Sequence, residues 1–215
     1  MPIQPPTPDD DPQLSTEEML AAAGSAHSES EFFNPMPPGY KPGHHKYVIV
    51  LGTVMSGLGK GIFSSSLAKL LKDKGLSVAP IKMEGYLNID SGTLNPYRHG
   101  EVFVLDDGTE TDMDLGTYER MLDQDLTRDN FTTSGQIYRR VLDKERHGGY
   151  LGRDVQMIPH VTGEVKYLLR SLAVKQKADV VFVEVGGTVG DFENGFYIEA
   201  LRELNAGMQV ILSVE

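Results

Sequence analysis

The sequence predicts an α/β fold in three layers: a mostly parallel sheet with helices on both faces. Three observations predict it. Beyond His45, short apolar strands alternate with helical patterns along the chain. The strands, such as Tyr47-Val48-Ile49-Val50-Leu51 and Val180-Val181-Phe182-Val183, are continuously apolar, as strands covered on both faces must be. A glycine-rich turn, Gly52-Thr53-Val54-Met55-Ser56-Gly57-Leu58-Gly59-Lys60-Gly61, follows the first of them. Open sheets of this kind bind ligands at the carboxyl ends of their strands, where that turn lies.

The elements follow in order. Residues 47–51 form the first strand, 62–74 a helix, and 77–82 a second strand after the turn at Gly75. A loop-rich stretch from 83 to about 116 contains β character at Glu101-Val102-Phe103-Val104 and a turn signal at Asp106-Asp107-Gly108. Residues 117–125 and 136–147 read as helices, the second closed by Gly148-Gly149. A long helix over 160–176 carries Val161, Val165, Leu168, Leu169 and Leu172 at helical spacing. A buried strand at 180–185, a helix at 196–204 and a strand at 208–214 complete the alternation.

Residues 1–45 differ in kind. They hold nine of the twelve prolines, and seven acidic residues against the single Lys41, which supplies −6 of the net charge of −11. Such a segment buries too little apolar surface to offset its ordering entropy and is expected to be a disordered tail. Within it, Ser15-Thr16-Glu17-Glu18-Met19-Leu20-Ala21-Ala22-Ala23 has a cap and good helix formers for one short helix. The domain proper is expected over 46–215. Acidity of this order excludes a general nucleic-acid binder, which needs a basic face. With no cysteine there is no disulfide framework, thiolate nucleophile or thiolate metal site. No apolar run approaches membrane-spanning length, and the acidic start lacks the regions of a signal peptide. The expectation is a cytoplasmic protein without nucleic-acid or membrane partners.

The turn points backbone N–H groups and a helix N-terminus at one spot, where a polyphosphate can sit, and Lys60 adds a point charge for the outer phosphates. Its spacing departs from the standard phosphate loop: Val54 stands where a glycine is usual, and Gly61 replaces the Ser or Thr. Glu184 closes an otherwise apolar strand, and a carboxylate there requires a cationic partner. Beside a phosphate loop the favoured partner is Mg²⁺; the alternative is an ion pair to a lysine or arginine. In Glu110-Thr111-Asp112-Met113-Asp114, the two aspartates are two apart and face one side if the segment is extended. Lys82, ending the second strand, is a further phosphate ligand or a surface lysine. Gly186-Gly187-Thr188-Val189-Gly190-Asp191-Phe192-Glu193 could read the ring and hydroxyls of a nucleotide, or could be an acid-capped helix start. His99 and His160 lack a Ser or Cys nucleophile pattern around them and support no triad.

Taken together, these stretches resemble the amidoligase (synthetase) domain of the CTP synthase family. The matching segments are Ser56-Gly57-Leu58-Gly59-Lys60-Gly61, Tyr86-Leu87-Asn88-Ile89-Asp90, His99-Gly100-Glu101-Val102-Phe103-Val104 and Glu110 to Gly116. Further on they are Asn130-Phe131-Thr132-Thr133, Lys144-Glu145-Arg146, Tyr150-Leu151-Gly152, Val155 to His160, and Glu184 to Asp191. They stand in the family's order over roughly residues 46 to 200. The resemblance implies a P-loop NTPase-like, Rossmann-type fold and a carbon–nitrogen ligase. Such an enzyme uses ATP to phosphorylate O4 of UTP, after which ammonia displaces phosphate to give CTP. It implies that Gly57, Leu58, Gly59, Lys60, Gly61 and Ile62 cradle the ATP phosphates, with Lys60 and Lys82 serving catalysis. Asp114 and Glu184 would hold Mg²⁺, Asp114 also meeting ATP. Ser56 would touch UTP, and Asp191, Phe192 and Glu193 would meet UTP or the inhibitor CTP. Family members form homo-tetramers and take ammonia from a glutaminase domain, which is expected to be missing from a chain ending at Glu215. Departures include Gly57 in the loop, Glu84-Gly85-Tyr86, Ser91-Gly92-Thr93, the additional Ser134, and Phe192 with Asn194. Two other readings stay open: another phosphate-loop ligase or ATPase of dethiobiotin-synthetase or partitioning type, and a non-catalytic nucleotide-binding assembly module.

Overall fold

The computed structural model describes residues 33–53, 59–150, 152–205 and 210–214. Five parallel strands form the central sheet: β1 (Lys46–Gly52), β2 (Val78–Glu84), β5 (Phe131–Thr133), β6 (Val180–Thr188) and β7 (Val210–Val214), in the order β5-β2-β6-β1-β7. A separate antiparallel ribbon pairs β3 (Phe103–Val104) with β4 (Glu110–Thr111). Five helices of ten residues or more accompany them among the described residues: α1 (Lys60–Asp73), α2 (Met113–Leu122), α3 (Ser134–Arg146), α4 (Thr162–Lys175) and α5 (Gly195–Asn205).

Strand pleating divides the apolar residues between two cores. On one face Ile49, Ala79, Ile81, Val181, Val183 and Val185 pack under α3, α4 and α5 through Ile137, Val165, Leu169, Phe196, Tyr197 and Leu201. On the other, Val48, Val78, Val180 and Phe182 pack under α1 and α2 through Ala68, Leu115, Tyr118 and Leu122. This is the expected three-layer α/β arrangement, with a parallel sheet buried on both sides.

Three details differ from expectation. Strand β5 lies inside a stretch read as connection, because its three residues run straight into α3, whose first turn Thr133 caps by accepting the Gln136 N–H at 3.1 Å. Helix α2 starts at Met113, four residues before the helix expected at 117. Asp112 is its cap, accepting the Asp114 N–H at 3.0 Å, and Gly116 within its first turns makes room for Phe103. A Cβ at Gly116 would lie 2.7 Å from that ring. Residues 33–45, assigned from composition to the tail, are packed: His45 Nδ1 lies 2.6 Å from the Ala178 carbonyl oxygen, and the Tyr40 ring stacks on His45. The short helix expected at 15–23 lies outside the described residues.

Candidate active site

Lys82 and Glu184 face each other across the β2–β6 pairing, as register partners in adjacent parallel strands. Both point to the α1/α2 side, as does Glu84 two residues beyond Lys82. The Lys82 ammonium lies 2.8 Å from Glu184 Oε1, 3.5 Å from Glu84 and 3.6 Å from Asp112, and it also pairs with Asp114. Four carboxylates therefore surround one lysine. Helix α2 contributes its cap, Asp112, and its first-turn acid, Asp114, which sit together because the cap aspartate turns the chain into the helix. The extended geometry expected for that pair is thus replaced by a helix start, with the same convergence.

Glu184 is 1% exposed. Its second carboxylate oxygen accepts from Ser64 Oγ at 3.0 Å and from the Tyr118 hydroxyl at 2.9 Å. Ser64 lies one turn along α1 from Lys60, and Tyr118 one turn along α2 from Asp114. Asp114 also abuts the start of α1: a Cβ at Gly61 would sit 2.4 Å from Asp114 Oδ1. Gly61, where a phosphate loop usually has Ser or Thr, thus leaves room for a carboxylate. Gly59 precedes α1 with φ 83°, a left-handed conformation that favours glycine.

The electrostatics follow from this crowding. Burial works to lower the Lys82 pKa, but Glu184, Asp112, Glu84 and Asp114 outweigh it and hold the ammonium well above the ordinary lysine value. Burial pushes Glu84 up to about 7; Lys82 opposes that shift and the neighbouring Asp112 adds to it. Burial, aided by repulsion from Lys82, lowers Lys60, with Glu184, Glu84 and Asp114 acting in the opposite direction. Burial and then the Glu184 charge drive the Tyr118 hydroxyl well above its usual range. Lys82 and the nearby Lys60 face four acids, one of them Glu84 with its pKa raised to about 7, which leaves a modest surplus of negative charge suited to a further cation.

Lys60 is 7% exposed and donates to the Gly187 carbonyl at 2.5 Å. That bond joins the start of α1 to the end of β6, just before the loop to α5. There Asp191 accepts the Thr188 N–H at 2.7 Å, and Asn194 donates to the carbonyls of Gly186 and Thr188 at 2.7 and 3.0 Å. Gly187 has φ +70°. Glu84 lies against Gly186, so the acid cluster and this loop are adjacent. Phe192 is 95% exposed at the loop's tip, and Asp191 and Glu193 are exposed beside it. Ile62 is exposed on α1. Ser56, Gly57 and Leu58 lie outside the described residues.

The family model described as CTP synthase N-terminus matches residues 46–214. The chain belongs to this family. The CTP synthase of Methanococcoides burtonii is 57% identical over 159 residues, covering 74% of this chain and 30% of that protein. The CTP synthase of Methanosarcina barkeri is 56% identical over 160 residues and that of Thermotoga maritima 56% over 159, with the same coverages. The chain spans about 30% of the length of these curated relatives. Among solved structures, FtsY from Mycoplasma mycoides overlays 92% of this chain and 49% of its own at TM-score 0.37 and 10% identity, too remote a likeness to build on. The CTP synthase N-terminus match contains every acid and lysine of the cluster and starts after the packed segment 33–45.

Of the residues singled out in the sequence, Lys60, Gly61, Lys82, Asp114 and Glu184 come together. Asp191, Phe192 and Glu193 form the neighbouring rim. The cation demanded by Glu184 is, in the structure, Lys82, which was expected to face phosphates and is enclosed by carboxylates. Glu84, read in the sequence only as a departure from the family pattern, and Ser64 and Tyr118 were not among the expected site residues. The spacing of Lys82 and Glu84 on one strand face could have revealed the first; nothing local marked the other two. Among the described residues no group of three or more Asp, Glu or His side chains forms a metal centre by itself. Asp114 and Glu184 nevertheless fit Mg²⁺, which takes hard oxygen donors and is commonly held by one or two carboxylates, with nucleotide phosphates and water completing its shell.

Proposed function

We propose that this chain carries the amidoligase half of a CTP synthase reaction in the cytoplasm: phosphorylation of UTP at O4 by ATP, then amination to CTP. The observation that carries the reading is the meeting of Asp114 and Glu184 at Lys82, directly against Gly61 and Ser64 of the helix that follows the glycine turn. Two acids from separate elements converge beside Lys60 and the first turn of α1, which supports a phosphate site there.

In this reading Gly57 to Ile62 cradle the ATP triphosphate, Asp114 at its side, and Lys60 supplies charge to the outer phosphates. Asp114 and Glu184 hold Mg²⁺, which when bound neutralises phosphate charge. Lys82 keeps the acids in place and adds positive charge beside the transferred phosphoryl group. Ser64 and Tyr118 fix the Glu184 carboxylate by donating to it. Ser56 contacts UTP, and Asp191, Phe192 and Glu193 line the pyrimidine side, where CTP also binds as inhibitor. The γ-phosphoryl group passes to O4 of the uracil, ADP leaves, ammonia attacks C4, and phosphate departs with the C–O bond. Positioning and charge neutralisation are what phosphoryl transfer asks of a protein. Ammonia comes from hydrolysis of glutamine by a glutaminase domain, and the enzyme assembles as a tetramer.

The test is equilibrium binding of Mg·ATP to the chain and to Lys60→Ala and Glu184→Ala, followed by ADP release with ATP, UTP and ammonium. A tenfold or greater loss of affinity in both variants, and ADP release that depends on UTP, are expected. Unchanged affinity in both variants sinks the site. Binding without UTP-dependent release replaces this reading with a non-catalytic nucleotide-binding module.

A further inference from the structure

Helix α4 carries a groove filled by the chain's own residues 33–40, which lie before the family match begins at 46. The Phe33 ring rests on the first turn of α4 so closely that a Cβ at Gly163 would lie 2.4 Å from its Cδ1. It meets the Tyr150 ring edge-on at 5.3 Å and the His160 ring at 5.4 Å. Two turns along the helix, the buried Arg170 guanidinium donates through Nη1 to Asn34 Oδ1 at 2.8 Å and to the Pro35 carbonyl at 2.9 Å. Its carbon lies 5.6 Å from the Tyr40 ring centroid. The receptor residues all lie within the family domain; the segment that occupies them does not.

We propose that this groove is a peptide-binding site for an aromatic-Asn-Pro motif, occupied in cis by Phe33-Asn34-Pro35. The chemistry is specific at both ends. A side chain at position 163 would displace the aromatic ring, so glycine makes the hollow. The two hydrogens of Arg170 Nη1 read an amide oxygen and the carbonyl of the next residue, which orients the peptide along the helix. Withdrawal of the segment would leave an empty hollow and strip Arg170 of both hydrogen bonds. Tethering keeps the segment at millimolar effective concentration, so a free peptide competes poorly while it is docked. The inference is independent of the catalytic reading, since none of these residues belongs to the acid cluster.

The experiment uses the full chain and a fluorescein-labelled synthetic peptide of residues 33–41, read by anisotropy. Phe33→Ala weakens the resident segment, so this variant is expected to bind the peptide at least tenfold more tightly than the parent chain. Adding Gly163→Val, or Arg170→Gln if the first does not fold, abolishes that gain. Hydrogen exchange across residues 157–165 should accelerate in Phe33→Ala and slow again when unlabelled peptide is added. The proposal is overturned if Phe33→Ala binds no better than the parent. It is equally overturned if the groove variants bind as well as Phe33→Ala, which would mark the peptide as non-specific.

Discussion

Replacing Lys82 by methionine removes an ammonium that lies within ion-pair distance of four carboxylates. The side-chain volume is nearly kept, so the change is chiefly electrostatic. At an effective dielectric of about 20, a unit pair at 3.5 Å is worth about 5 kcal/mol before desolvation, and Lys82 makes one pair at 3.5 Å and one at 2.8 Å. Desolvation cancels much of this in the intact protein. Removing one partner of a buried pair leaves the other's desolvation unmatched, at a typical cost of about 3–5 kcal/mol. For a chain of this length that corresponds to a fall in Tm of about 6–20 °C. Glu184→Gln is milder, about 1–3 kcal/mol, because Lys82 keeps three acids and the surplus negative charge is reduced. Thermal unfolding followed by circular dichroism compares the two variants with the parent, with and without about 10 mM MgCl₂ to supply a replacement cation. The expected order is Lys82→Met least stable, then Glu184→Gln, then parent, with Mg²⁺ raising Tm most in Lys82→Met. A Lys82→Met protein as stable as the parent would refute the claim that this lysine holds the acids together.

Three further outcomes follow from the geometry. Gly61→Ala places a methyl group on the Asp114 carboxylate; because that carboxylate ends a flexible side chain, stability should fall by only about 1 kcal/mol, while isothermal titration shows Mg·ATP affinity reduced about tenfold or more. Gly135→Ala meets the Leu87 carbonyl at 2.1 Å, a backbone atom that cannot swing aside, so urea unfolding should report a loss of about 2–3 kcal/mol. Asp107 accepts from Thr109 N–H at 3.0 Å and from Arg128 N–H at 2.7 Å. Burial works to raise its pKa, but these bonds and the Arg128 charge outweigh it and hold the pKa below the ordinary aspartate value. A depressed folded pKa gives stability that is present above the unfolded value, near 4, and is lost as pH falls through the folded one. Asp107→Ala should therefore cost about 0.5 kcal/mol at pH 7, after solvent screening, with the Tm difference from the parent shrinking towards pH 2.

The legible parts of the fold were those in which one physical signal dominated. Strands β1 and β6 are nearly unbroken apolar runs, β2 opens apolar before its two charges, and α4 repeats its apolar residues at helical spacing, so burial and local pattern agreed. Strand β5 gave no such signal, because Phe131-Thr132-Thr133 is too short for periodicity and its last residue also serves as a helix cap. The packed segment 33–45 was hidden by averaging: its aromatic anchors Phe33 and Tyr40 sit among prolines and beside an acidic stretch. At the site, Glu184 announced itself as a charge ending an apolar strand, and it required a cation. Which cation could not be read locally, since Lys82 becomes its partner only through the β2–β6 register, 102 residues away in sequence. Ser64 and Tyr118 were invisible for the same reason, each being ordinary on its own helix until the sheet brings Glu184 between them.

The hydrogen bond from Lys60 to the Gly187 carbonyl has a mechanical consequence. An ammonium has three donors, and this bond uses one of them, so Lys60 can engage a second acceptor without releasing the first. The glycine turn's lysine and the segment leading to Asp191 are stitched together at a single atom. A charge drawn to the Lys60 ammonium therefore meets a side chain already anchored to the end of β6.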